Sequence, residues 1–330
     1  MNMTAWLREA AAAHKALPIL SFPGVQLIGT TVDQLVGDGE LQARCMVAVA
    51  QRFDTLASVS FMDLSVEAEA FGSPIRFSGD EVPTVTAPIV HDMAEAEALR
   101  VPAVGEGRTN TYLQAIAQAA REITDRPVLA GAIGPFSLAG RLNDMTEIMV
   151  NCYEEPELVH TLLRKATDFL KQYFLAFKQA GAQGIVMAEP AAGLLSPDLV
   201  AEFSVPYVRE IREAVDGDDF LFVYHNCGKT LRMMPELLKI GTRMFHLGNA
   251  IALEEALACI PSDVLVMGNV DPAGVLRQGT PESVREATQA VLAACAKYPN
   301  FILSSGCDIP PATPLANLDA FFAANAAYTR

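Results

Sequence analysis

The chain has 330 residues, of which 51% are hydrophobic and 19% are charged, and its formal net charge is −15. This composition supports a large buried core and excludes global disorder. The acidic balance argues against nucleic acid as a partner and against docking onto anionic lipid, because both need basic patches. A small anionic ligand is not excluded, since a few local arginines and lysines would suffice to bind it.

The N-terminal stretch, residues 1–20, is rich in alanine and carries charged side chains throughout. This pattern predicts an amphipathic helix, and neither a signal-peptide apolar region nor a membrane-spanning run is visible. The six cysteines are too few for a disulfide framework in a chain of this length. We therefore expect reduced thiols and a cytoplasmic location.

Short apolar runs alternate with helical patterns along the chain, and no linker or charge block divides it. The alternation predicts parallel strand–helix–strand units. The longest helical pattern covers residues 156–180, and Thr280 before Pro281 predicts the N-cap of another helix. Eight runs are predicted as strands: residues 18–23, 55–61, 127–133, 184–188, 220–224, 244–247, 264–267 and 301–303.

Eight such units predict an α/β fold, namely one (β/α)8 TIM-barrel domain over residues 1–330 preceded by the N-terminal helix. The long connections at 24–54 and 62–126 are expected to place loops over the C-terminal face of the barrel. A doubly wound sheet is disfavoured because no Gly-rich dinucleotide motif follows the first predicted strand.

Three soft metal ligands follow two of the predicted strands. His225 and Cys227 stand two positions apart, so both side chains can point the same way, and Cys307 follows the last strand. The C-terminal ends of barrel strands share one face, where active sites lie. One imidazole and two thiolates suit a catalytic zinc ion with an open fourth position. Ordinary buried cysteines and a hydrogen-bonded histidine are the structural alternative.

Acidic residues also follow predicted strands. Asp63, Glu189 and Asp271 are each placed to be a fourth zinc ligand, a hydrogen-bond partner of His225 or a substrate contact. Each is alternatively a helix N-cap or first-turn carboxylate, and this alternative is strongest for Asp271, because Pro272 follows it.

The sequence resembles the uroporphyrinogen decarboxylase superfamily over nearly its whole length. The matching motifs include Ala-Gly-Ala-Ile-Gly-Pro-Phe-Ser-Leu-Ala-Gly at 130–140 and Gly-Asn-Val-Asp-Pro at 268–272. Within the superfamily it is most similar to the methylcobamide:coenzyme M methyltransferases. In that branch a His-x-Cys pair and a distant Cys bind zinc, and the resemblance assigns these roles to His225, Cys227 and Cys307.

The resemblance implies a (β/α)8 barrel and methyl transfer between a corrinoid, carried on a separate corrinoid protein, and a zinc-activated thiol such as coenzyme M. It also implies that Asp63, Glu189, Asn269 and Asp271 line the corrinoid and substrate funnel. Two alternatives stay open. One is methyl transfer from a methoxylated compound or a methylamine to a corrinoid protein, and the other is a decarboxylase-like or non-catalytic tetrapyrrole-binding protein.

One departure bears on the decarboxylase alternative. True decarboxylases carry an Arg-rich segment after the first strand, which binds the porphyrinogen carboxylates. Here that region reads Ser-Phe-Pro-Gly-Val-Gln-Leu-Ile-Gly-Thr at 21–30, with no arginine. Decarboxylation of a tetrapyrrole is therefore disfavoured.

Overall fold

A seven-stranded parallel sheet forms the centre of the molecule. The structure is a computed structural model that describes residues 1–328. Residues 329 and 330, which the single-domain prediction includes, lie outside the described part. The spatial order of the strands is their chain order: β1 (Ser58–Val59), β4 (Val128–Ile133), β5 (Gly184–Ala188), β6 (Leu221–Asn226), β7 (Met244–Leu247), β8 (Leu265–Val270) and β9 (Phe301–Ser305). Two further strands, β2 (Ile75–Arg76) and β3 (Thr84–Val85), form a small antiparallel ladder within the second long connection.

Helices precede the first strand, connect the parallel strands and follow the last strand. They are α1 (Met3–Ala12), α2 (Val25–Ile28), α3 (Val32–Val36), α4 (Gly39–Arg52), α5 (Val66–Ala70), α6 (Met93–Ala98), α7 (Thr109–Glu122), α8 (Pro135–Asn143), α9 (Met145–Glu154), α10 (Pro156–Gln179), α11 (Pro197–Phe203), α12 (Val205–Val215), α13 (Met234–Leu237), α14 (Leu253–Cys259), α15 (Pro281–Cys295) and α16 (Leu315–Ala327). The predictions of α10 and of Thr280 as the N-cap of α15 are confirmed. None of the described helices is long and apolar enough to cross a membrane.

Alternate residues of each strand enter two separate apolar clusters. On β6, Leu221 and Val223 pack in an inner cluster with Met3 and Trp6 of α1, whereas Phe222 and Tyr224 pack outward against the helices. This alternation is what a parallel sheet with two covered faces requires. The predicted N-terminal helix is confirmed, and it covers one end of the space that the curled sheet encloses.

The first predicted strand is not regular, and this prediction was wrong. Pro18 has no N–H to donate, and the chain turns into a 3-10 helix at Phe22–Gly24. The extended segment before it still lies between the two edge strands, because Leu17 N donates to Leu303 O and Leu56 N donates to Ala16 O. Serine hydroxyls of β9 supply further bonds to this segment, so side chains replace part of the expected ladder.

Candidate metal centre and adjoining cavities

The alternation along β6 determines where its last residues point. Leu221 and Val223 face the enclosed space, so His225 and, just beyond the strand, Cys227 continue the same face toward the carboxyl end. Cys307 follows β9, two positions after Ser305. Curling of the sheet brings these two strand ends together.

The three predicted ligands form one group. The ligand atoms of His225, Cys227 and Cys307 all lie within 4.8 Å of one another, and His225 Nε2 is 3.4 Å from Cys307 Sγ. Two ligands on a tetrahedral zinc ion, one nitrogen and one sulfur, would be about 3.5 Å apart. The donor set and its spacing therefore fit a single zinc ion held by three protein ligands.

The orientation of His225 is determined by its neighbour on β7. His225 Nδ1 lies 3.1 Å from the carbonyl oxygen of His246, which can only accept, so Nδ1 must carry the proton. The lone pair is then left on Nε2, which faces the cysteines. The two imidazoles stack at 4.4 Å, and His246 is held by Ser305 O at 2.7 Å. This support is typical of a metal-binding histidine.

The two thiols of the group have opposite proton affinities. Hydrogen bonding from the Cys307 thiol lowers the pKa of Cys227 far below that of a free thiol. The same thiol–thiolate contact, together with burial, raises the pKa of Cys307. The contact between the two thiols thus favours a thiolate on Cys227, and thiolate is the form in which cysteine binds a metal.

Glu189 is not brought into this group. Its carboxylate accepts hydrogen bonds from the N–H groups of Phe136 and Ser137, 3.2 and 2.6 Å away, at the start of α8. Burial raises the pKa of Glu189 to about 7 despite these bonds. A Cβ on Gly134 would lie 2.4 Å from the carboxylate, so only glycine leaves room for it there. The position of Glu189 therefore favours a role as the carboxylate that binds the N-terminus of α8 over a role as fourth zinc ligand.

Asp63 is buried, and both of its carboxylate oxygens are used within the protein. One oxygen accepts from the backbone and hydroxyl of Ser65, and the other accepts from Arg108 and from Tyr112, the latter at 2.8 Å. Arg108 also pairs with Glu69 at 2.6 Å. A carboxylate occupied in this way has little capacity left for a tetrapyrrole N–H.

The two remaining predicted contacts also make internal bonds. Asn269 donates to the carbonyl oxygens of Gly248 and Ile251, each at 3.0 Å, and so supports the loop after β7. Asp271 accepts from the N–H groups of the turn that follows it, as the N-cap alternative predicts. Substrate contact by these residues stays a prediction.

Glu67 is a buried carboxyl group whose protonation should make the stability of the protein depend on pH. This carboxyl lies on α5, accepts from Ile133 N at 3.2 Å, and leaves its second oxygen without a partner among the described residues. Burial raises the pKa of Glu67 to about 8, so the folded protein holds a proton there that the unfolded chain releases above about pH 4.5.

Because the unfolded state binds fewer protons between these two pKa values, stability should fall as pH rises from about 5 to 8. The contribution of Glu67 is about 1 kcal/mol per pH unit. Urea denaturation at pH 5, 6.5 and 8 measures the free energy of unfolding. We expect this free energy to fall less with rising pH in Glu67→Gln than in the unaltered protein. An equal fall of the free energy of unfolding in both proteins would contradict this prediction and would mean that Glu67 is already ionised in the folded state.

One cavity is lined by a member of the three-ligand group, and a second is lined by a residue next to another member in the chain. The first, of about 350 Å³, is lined by Cys227 and by apolar residues of the segment after β5. The second, of about 410 Å³, is lined by Asp308, which directly follows Cys307. Arg141 of α8 lines both cavities. Arg141 is not among the residues predicted from the sequence, although it directly follows the motif at 130–140.

Three soft ligands that lie close together at the carboxyl ends of parallel strands could hold a metal ion. The profile of the uroporphyrinogen decarboxylase (URO-D) family matches residues 20–328, and the chain belongs to this family. The resemblance stated from the sequence motifs is confirmed.

Relatives within the family have two different activities. The methylcobamide:CoM methyltransferase MtbA of Methanosarcina acetivorans is 30% identical over 322 residues, which cover 93% of each chain. A uroporphyrinogen decarboxylase of Anaeromyxobacter dehalogenans is 29% identical over 299 residues, which cover 87% of this chain and 85% of the relative. Identity alone therefore separates these activities poorly.

Solved structures support the fold. A methyltransferase from Methanosarcina mazei superimposes with a TM-score of 0.86 over 97% of both chains, at 23% identity. A B12-independent methionine synthase from a Shewanella species superimposes with a TM-score of 0.58 over 88% of both chains, at 16% identity. At these identities the likeness concerns the fold alone.

Proposed function

We propose that this protein is a zinc-dependent corrinoid methyltransferase, which moves a methyl group between a methyl-corrinoid and a thiol such as coenzyme M. The observation that carries the proposal is the group of His225, Cys227 and Cys307 at the carboxyl ends of β6 and β9. The similarity to MtbA over 93% of the chain supports the same activity.

The residues present suit zinc. Cys227 and Cys307 supply thiolates, and His225 offers Nε2 because its Nδ1 donates to His246 O. A zinc ion bound there would lower the pKa of a substrate thiol and leave it nucleophilic at neutral pH. Two thiolate ligands also donate charge to the ion, which keeps the substrate sulfur reactive.

The reaction balances without an added oxidant or reductant. The thiol releases its proton, its sulfur forms a bond to the methyl carbon, and the cobalt–carbon bond breaks with its electron pair left on cobalt. The side chains of Pro190, Ala191 and Leu194 give the cavity beside Cys227 an apolar side, from which a bound thiol would displace water.

The corrinoid is expected to arrive on a separate corrinoid protein, as the resemblance implies. The net charge of −15 is compatible with a basic patch on that partner and unfavourable for nucleic acid. Tetrapyrrole decarboxylation is the weaker candidate, since Asp63 is engaged by Arg108 and Tyr112 rather than free for pyrrole N–H groups.

We also propose that residues 1–330 form one (β/α)8-type domain, in which the extended segment 16–20 completes the ring between β9 and β1. The backbone bonds from Leu17 to Leu303 and from Leu56 to Ala16 support this closure.

Anaerobic incubation of the zinc-loaded protein with methylcobalamin and a panel of thiols tests the function. We expect a thiol-dependent change of the cobalamin spectrum from methyl-Co(III) to Co(I), and a methyl thioether as product. Methyl transfer from a methoxylated compound or a methylamine to Co(I) cobalamin, with no demethylation by any thiol, would instead identify a methyl-donor:corrinoid methyltransferase.

A further inference from the structure

Arg141 lies on the face of α8 that is turned toward the ligand group. Ser137 and Arg141 are four positions apart on α8, hence on the same side of the helix, and both line the cavity of about 350 Å³ that reaches Cys227. Arg141 also lines the cavity of about 410 Å³ that reaches Asp308, beside Cys307. A molecule bound at Arg141 in the first cavity therefore shares that cavity with Cys227, a member of the three-ligand group.

The guanidinium of Arg141 has no hydrogen-bond or ion-pair partner in residues 1–328. Burial lowers the pKa of Arg141, and the negative charge of Asp63 offsets this effect only in part. The nearby Asp63 carboxylate is already engaged by Ser65, Arg108 and Tyr112. A half-buried cation without a partner, facing a cavity, is a site that an anionic ligand would complete.

The remainder of the cavity that reaches Cys227 narrows the choice of ligand. Besides Arg141 and Cys227, this cavity has an apolar lining of Ile133, Pro190, Ala191 and Leu194. This lining suits a short alkyl chain. A planar guanidinium pairs with a sulfonate or a carboxylate through two hydrogen bonds.

Resting on the function proposed above, we propose that Arg141 is the specificity-determining residue for the methyl acceptor. It binds a sulfonate or carboxylate at one end of a short thiol whose sulfur reaches the group of His225, Cys227 and Cys307. Coenzyme M, which is 2-mercaptoethanesulfonate, is such an anionic thiol, and Arg141 is the residue that distinguishes it from a neutral thiol of the same length.

Steady-state kinetics with methylcobalamin test the proposal on three thiols: 2-mercaptoethanesulfonate, 3-mercaptopropionate and the neutral 2-mercaptoethanol. We expect Arg141→Gln to raise KM for the preferred anionic thiol roughly 10- to 100-fold, with little change in kcat. KM for 2-mercaptoethanol should stay nearly unchanged. Arg141→Lys keeps the charge but not the paired geometry, so its KM should be intermediate.

Arg121→Gln is the matched control, since Arg121 is exposed on α7 and lines neither cavity. Equal losses on anionic and neutral thiols with Arg141→Gln would overturn the proposal. So would a loss seen with methylcobalamin but absent with methylcobinamide, which lacks the nucleotide phosphate, because Arg141 would then bind the corrinoid. A preference of the unaltered protein for the neutral thiol would overturn it as well.

Calorimetric titration separates this proposal from the proposed function. Zinc-loaded protein should bind 2-mercaptoethanesulfonate more tightly than 2-mercaptoethanol, and Arg141→Gln should remove that difference. This readout needs no turnover. A protein that binds anionic thiols through Arg141 but demethylates no corrinoid would contradict the methyl-transfer function and retain the role of Arg141, whereas equal binding of both thiols would contradict that role.

Discussion

Replacing Cys307 with serine should lower the affinity for zinc by at least about 100-fold, because three or four ligands share a binding free energy of roughly 10–16 kcal/mol. A neutral hydroxyl replaces a thiolate, and His225 Nε2 loses the sulfur that lies 3.4 Å away. Thiol-dependent methyl transfer should become undetectable. Zinc content after dialysis against a weak chelator, and the methylcobalamin assay on the same samples, measure both effects.

Cys259→Ser provides a matched control for this result. Cys259 is exposed at the end of α14 and is not in the three-ligand group, so its variant should keep about one zinc per chain and full activity. Circular dichroism should show the same fold for both variants. Full zinc retention by Cys307→Ser would remove Cys307 from the ligand set, and with it the observation on which the proposed function depends.

Replacing Arg108 with methionine should lower the free energy of unfolding by about 3–5 kcal/mol, the range measured when one member of a buried ion pair is removed. Asp63 is buried and would lose the opposite charge that its carboxylate contacts. Glu69 would lose the same partner. Urea denaturation at pH 7, followed by circular dichroism, measures the change.

Arg100→Met is the matched control for Arg108→Met, because it removes an exposed ion pair instead of a buried one. Arg100 pairs with Glu106 through two bonds of 2.7 and 2.6 Å, but this pair is exposed to solvent. Its removal should hardly move the urea midpoint, because exposed ion pairs contribute little. Similar midpoints for Arg108→Met and Arg100→Met would mean that the Asp63 carboxylate is solvated or protonated in the fold, contrary to the contacts described above.

The grouping of the three candidate ligands was predicted from the sequence, because each of them follows a predicted strand. His225 and Cys227 share a face of an extended segment, and Cys307 follows another strand, so a barrel face brings them together. The carboxylates were harder to interpret. Strand-end position is shared by ligands, substrate contacts and helix caps, and only the contacts of Glu189 and Asp271 distinguish these roles.

Arg141 shows why part of the site could not be predicted. Its sequence neighbours are those of an ordinary helix end, and nothing local indicates whether an arginine will find a carboxylate. That outcome depends on long-range packing: Arg108 reaches Asp63 across 45 positions, which leaves Arg141 without that partner. The predicted first strand was wrong for a local reason, since Pro18 has no N–H to donate and the chain turns into a 3-10 helix at Phe22–Gly24.

The sequence by itself determined the α/β class, most of the strands, the family and the three candidate ligands, because periodicity and motif spacing are properties of neighbouring residues. The tertiary structure decided which charged groups satisfy one another and which face a cavity. Hydrogen-bond partners and burial are set by segments distant in the chain. The role proposed for Arg141 and the internal roles of Asp63 and Glu189 therefore follow only from the folded arrangement.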